Sequence, residues 1–144
     1  MAEAVAQNSP ETSKQAWWQG DTFFIVALIT VTLAIAYGMA RYEVVSRAKK
    51  AYLEGEKYYD WYHNPDHKKA FFDAELAAKR IDQDTYTRLM EDSDIKNAYV
   101  WYDTVTDLFQ PPRSEWVIKS EDRLKEVKPL RDAWLKSMGI DPVD

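Results

Sequence analysis

The stretch TFFIVALITVTLAIAYGMA, residues 22–40, has no charged side chain. As a helix rising about 1.5 Å per residue it would cover roughly 28 Å, the thickness of a bilayer's hydrocarbon core. A soluble domain's core helix of that length would carry a polar face, and this one has none. A secretory leader would open with a short basic segment, whereas Glu3, Glu11 and Asp21 here outnumber Lys14. Aromatic residues stand on both sides: Trp17, Trp18, Phe23 and Phe24 before, Tyr37 and Tyr42 after. Their amphipathic rings suit the two membrane–water boundaries. The stretch therefore reads as a single transmembrane helix at 22–40, preceded by a short acidic tail at 1–21.

Its flanks also give a direction. Arg41, Arg47, Lys49 and Lys50 follow the apolar run, while only Lys14 precedes it. The positive-inside tendency then places the N-terminus outside and the remainder of the chain on the cytoplasmic side, as in a bacterial inner membrane. The same basic residues are expected to meet anionic lipid head groups, and Lys68–Lys69 would extend that surface if the second helix folds back toward the bilayer.

Composition limits what the rest can be. The chain has 144 residues, 24 acidic and 19 basic, for a net charge of −5. That balance argues against a nucleic-acid partner, which needs a basic face. Cysteine is absent, which excludes disulfides, thiolate metal sites and cysteine nucleophiles. From Asp82 onward fourteen acidic residues face nine basic ones, a balance suited to a basic protein partner. Six Trp and nine Tyr are many for so short a chain and point to packing interfaces.

Beyond Arg41 the pattern is helical throughout, so the fold class is all-α: the membrane helix extends into a stalk at 41–63, followed by a small helical cap at 64–144. No break occurs before Asn64-Pro65. Along the stalk Val45, Ala48, Tyr52, Gly55, Tyr59 and Tyr62 recur at steps of three and four, which aligns them in a seam. Ala48 and Gly55 are small enough for another helix to approach closely. The seam is a docking face, either for a partner or for the chain's own later helices.

In the cap, a second helix is expected from Pro65 to about Arg80 with Phe71, Ala74, Ala78 and Ile81 on one face. Asp84 offers an N-cap for a short third helix, and Ser93 or Asp94 one for a fourth ending near Phe109. Ser114 opens a fifth, in which Pro129 predicts a kink or a break and Gly139 a stop. Tyr99, Trp101, Tyr102, Phe109, Trp116 and Trp134 are too many large rings for a core of this size. Several, Trp101, Trp116 and Trp134 among them, are expected to pack on a partner.

No glycine-rich phosphate loop, nucleophile elbow or zinc-protease motif is present. The one constellation with chemistry is in YYDWYHNPDH, residues 58–67. Asp60, His63 and His67 would share a face of an unbroken helix and hold zinc, copper or iron with open positions. Pro65 opposes this, because Asn64-Pro65-Asp66 reads as the start of a new helix. No other cofactor is expected. The sequence thus predicts a non-catalytic, single-pass accessory subunit of a larger membrane complex, of respiratory, photosynthetic or membrane oxygenase type, in contact with other integral membrane subunits. Its alternatives are a tethered adaptor that self-associates through the seam, and a metal-binding accessory protein.

Overall fold

A computed structural model describes the backbone of residues 12–142 and the side chains of residues 22–142. It holds five helices and, among the described residues, no strand: α1 (Thr12–His63), α2 (Pro65–Ala77), α3 (Gln83–Glu91), α4 (Asp94–Leu108) and α5 (Glu115–Ser137). Helix α1 starts ten residues ahead of the apolar run, inside what the composition suggested was a tail. The chain divides into two compact units, one ending at Arg41 and one beginning at Tyr42.

The first unit contains a helix long and apolar enough to cross a membrane. Its large side chains lie open, Phe23 at 76% and Phe24 at 68% of full exposure. Polar atoms within it are satisfied locally: the hydroxyls of Thr30 and Thr32 each donate at 2.8 Å to the carbonyl four residues back. Such back-bonding suits a helix with no water along its sides.

The second unit is built on the stalk part of α1, with α4 and α5 packed against it. Ala48 and Ala51 meet Val105 and Val117, and farther along the stalk Tyr58 and Tyr59 meet the group Ile95, Ala98, Tyr102 and Val127. Rising numbers on α1 thus meet falling numbers on α4 and rising numbers on α5, so α4 runs antiparallel to both. The seam is covered by the chain's own helices: Ala48 is fully buried, and a Cβ on Gly55 would lie 2.7 Å from Tyr102 Cε1. This answers the alternative left by the sequence, because the small residues admit α4 and α5 of the same chain. Ala48 and Gly55 are therefore not available to a partner.

Helices α2 and α3 form a hairpin beside the stalk's end. Trp61 closes over Phe72, ring centroids 5.3 Å apart, and Tyr86 donates to Asp73 at 2.8 Å. The buried face of α2 is Lys68 and Phe72, with Phe71, Ala74 and Ala78 outside, one residue's rotation from the expected face. The helix ends at Ala77, short of Arg80, because Lys79 takes a left-handed φ of 55°. Lys79 N–H then donates to Leu76 O and Arg80 N–H to Glu75 O, which closes a Schellman motif.

Helix α3 is capped by Asp82, which accepts from Thr85 N–H at 2.8 Å, and not by Asp84, which falls in its first turn. Ser93 caps α4. Pro129 lies inside a continuous α5 with no break. Val127 before it and Leu130 and Trp134 after it all pack on the Ile95–Tyr102 group, so packing offsets the lost amide and ring clash, a cost of about 3 kcal/mol. Gly139, at φ 74°, stops α5 with the same two bonds as at Lys79, Gly139 N–H to Lys136 O and Ile140 N–H to Leu135 O.

Candidate functional site: a stalk groove, an ionic lock and the helix joint

Side by side on the stalk and α4, Arg47, Lys50, Ala51, Leu53 and Glu54 face Trp101 and Phe109 across a groove of about 420 Å³. The helical period brings these residues together: positions 47, 50, 51 and 54 of α1 share a stripe next to the buried Ala48. Trp101 and Phe109 are half-buried and form an apolar wall; Leu53 stands half exposed at the rim. Arg47 is held by Glu43, an exposed pair that contributes little to stability, and Glu54 by Lys57, a half-buried one. Lys50 has no ion pair among the described residues. Apolar floor and basic edge fit a partner segment or amphiphile that combines apolar and acidic groups.

Behind the groove lies an ionic lock. Glu56 accepts from Arg123 Nε at 2.8 Å and Nη2 at 3.0 Å, and from the Tyr102 hydroxyl at 2.7 Å. Arg123 also donates to Glu126 at 2.9 Å and lies over the Tyr59 ring at 4.8 Å. Burial pushes the Glu56 carboxyl up, but donors from Arg123, Tyr102 and Tyr52 outweigh it and hold the group below the usual carboxylate value. Burial and the neighbouring Glu56 charge both raise the Tyr102 phenol. The lock ties α1, α4 and α5 at one point, and its tyrosines are kept protonated as donors.

A second buried charge holds the hairpin. The Lys68 side chain is only 6% exposed, and its ammonium donates to Asp92 O at 2.9 Å and Met90 O at 3.3 Å and lies 2.9 Å from Asp94 Oδ1. The carbonyls are at the end of α3, where the helix dipole favours a cation. Burial raises the Asp94 carboxyl, and Lys68 only partly offsets this. Lys68 is thus not part of a lipid-facing surface; Lys69, its neighbour, is exposed.

At the α1–α2 joint the three expected metal ligands do not converge. Asp60 Oδ2 accepts from His67 Nδ1 at 2.8 Å and its Oδ1 from Asn64 Nδ2 at 2.9 Å. These two donors hold the Asp60 carboxyl below its ordinary value. His63 turns away: its Nδ1 donates to Tyr59 O at 3.0 Å, and its ring packs on Tyr59 and Tyr62. Among the described residues no three histidine or carboxylate groups gather as a metal site. Pro65 starts a new helix that still brings His67 to Asp60, and it is His63 that leaves the group, its ring held by the Tyr59 carbonyl and the Tyr59 and Tyr62 rings. Asn64 holds the N-cap position, yet its side chain bonds Asp60 and makes no cap.

Trp17 and Trp18 lie outside the residues with described side chains. Tyr37 stacks under Arg41 at 5.6 Å, as an interfacial pair would. Val45 and Tyr52 are half-buried, and Tyr52 packs on Tyr102 and Trp116. Trp116 receives Lys49 and Lys119, and Trp134 packs against the Ile95–Tyr102 group. The rings expected to need a partner are thus fully or half covered by the chain itself, Tyr102 completely. The sequence reading missed Glu56 and Arg123, and it put Lys68 on a lipid-facing surface where the fold buries it against Asp94. Glu56 and Arg123 are 67 residues apart, and no local pattern links them.

No family model matches this chain, and no curated protein or solved structure is similar to it.

Proposed function

We propose that this chain is a non-catalytic, single-pass accessory subunit of a larger integral membrane complex, of respiratory, photosynthetic or membrane oxygenase type. In this reading 22–40 spans a bacterial inner membrane and the unit from Tyr42 onward works on the cytoplasmic side. One observation carries it. The large apolar side chains from Phe23 to Met39 stand half to three-quarters exposed, whereas the unit from Tyr42 closes a core of its own. An apolar helix left open next to a self-sufficient bundle is suited to lateral packing in a bilayer, against lipid or other spanning helices. The groove of Leu53, Trp101 and Phe109 then offers a contact for a neighbouring subunit.

The self-associating adaptor loses its support, since Ala48 and Gly55 are covered from within. Purification of the native protein in mild detergent, with mass spectrometry of what accompanies it, tests the proposal. A fixed set of membrane subunits at constant stoichiometry is expected. A monodisperse, folded monomer would overturn it.

A further inference from the structure

We infer that the part of the bundle around Trp116 rests on an anionic phospholipid surface. The contact is made by Arg47, Lys49 and Lys50 of α1, Leu108 at the end of α4, and Trp116 and Lys119 of α5. The inference goes beyond subunit membership, and rests only on the reading that 22–40 spans a bilayer.

Tertiary packing gathers these residues from three helices. Lys49 Nζ lies 5.4 Å and Lys119 Nζ 4.3 Å from the centre of the Trp116 ring. Trp116 and Phe109 both pack on the cluster of Ala48, Ala51, Val105 and Val117, and Phe109 shares the groove with Arg47 and Lys50. Leu108, next to Phe109, is 71% exposed. A half-buried indole flanked by two ammonium groups and an open leucine matches the head-group layer, where a ring has one apolar and one wet side.

Charge points the same way. Lys50 has no ion pair among the described residues. Among the described residues Arg47 and Lys119 form ion pairs only with exposed Glu43 and Glu115, and such pairs readily yield to a phosphate. Lys49 follows Arg41 by eight positions, so their Cα atoms can be no more than roughly 29 Å apart.

The full chain is reconstituted in nanodiscs of phosphatidylcholine alone and of phosphatidylcholine with one quarter phosphatidylglycerol. Hydrogen exchange is then followed at the amides of the 109–114 connection. Exchange is expected to slow by about fivefold or more in the anionic discs, the factor carried by one lysine at such a surface. The slowing should vanish in high salt and in the variant K49Q/K50Q/K119Q. Equal exchange in both discs overturns the inference and returns this surface to a protein partner. Slowing that survives the triple substitution also overturns it.

Exchange at Tyr102 and Val105 reports whether the variant keeps its fold, and Lys50→Glu repeats the test at a side chain with no ion pair to lose. Failure of the spanning reading is distinct, since such a chain would enter neither disc.

Discussion

The Tyr102 ring lies against the bare backbone of Gly55, so close that a Cβ there would stand 2.7 Å from Cε1. The ring cannot retreat, because it is fully buried and its hydroxyl is fixed to Glu56 at 2.7 Å. Gly55→Ala should therefore destabilise the bundle by about 1–2 kcal/mol, overpacking exceeding the gain of about 1 kcal/mol in helix propensity. Thermal unfolding in detergent, followed by circular dichroism, measures this. A stabilised variant would show that α4 moves aside freely.

Lys79 holds a left-handed φ of 55° where glycine has no steric cost. Lys79→Gly should stabilise the bundle by about 0.5–1 kcal/mol, since relief of strain exceeds the extra freedom of the unfolded chain. The same melting assay reads it, and Gly139→Ala, at φ 74°, should have the opposite sign.

Glu56→Gln removes the charge that pairs Arg123 and is expected to cost about 1–3 kcal/mol. The variant also changes the pH response. Because the folded-state value of Glu56 is depressed, its stabilisation is present above the unfolded value and is lost as pH falls through the folded one. Wild type should thus lose stability below about pH 4.5, and the variant should lose less. Asp94, raised by burial, has the opposite slope, its share fading as pH rises. Denaturant titrations at stepped pH separate the two; parallel curves for wild type and variant would remove Glu56 as the acid-labile group.

Lys68→Met leaves Asp94 and two helix-end carbonyls without their cation and should cost about 3 kcal/mol. The loss should fall on the α2–α3 hairpin. Hydrogen exchange over residues 65–91 is expected to rise well before that at Ile95 to Val105. Uniform acceleration across all helices would contradict a local role.

Local rules made much of this legible in advance. An uncharged run of nineteen residues can only be an apolar helix. Pro65 lacks the amide that would continue α1, and Gly139 permits the left-handed turn that ends α5. The three-and-four spacing of Ala48, Tyr52, Gly55 and Tyr59 aligned them before any contact was known, since 3.6 residues per turn allow little else. Spacing could not say what covers that seam. Only the return of α4 and α5 decided this, by bringing Tyr102 and Arg123 onto Glu56 from 46 and 67 residues away and the Tyr102 ring over Gly55. Nor could sequence separate Lys68 from Lys69, adjacent and alike in composition. Which of them is buried depends on the rotation of α2 about its axis, and Phe72 fixes that rotation by packing under Trp61. The histidines followed the same logic: a common face was open to Asp60, His63 and His67 only while the helix ran on, and past the turn at Pro65 His67 still meets Asp60 whereas His63 bonds the Tyr59 carbonyl.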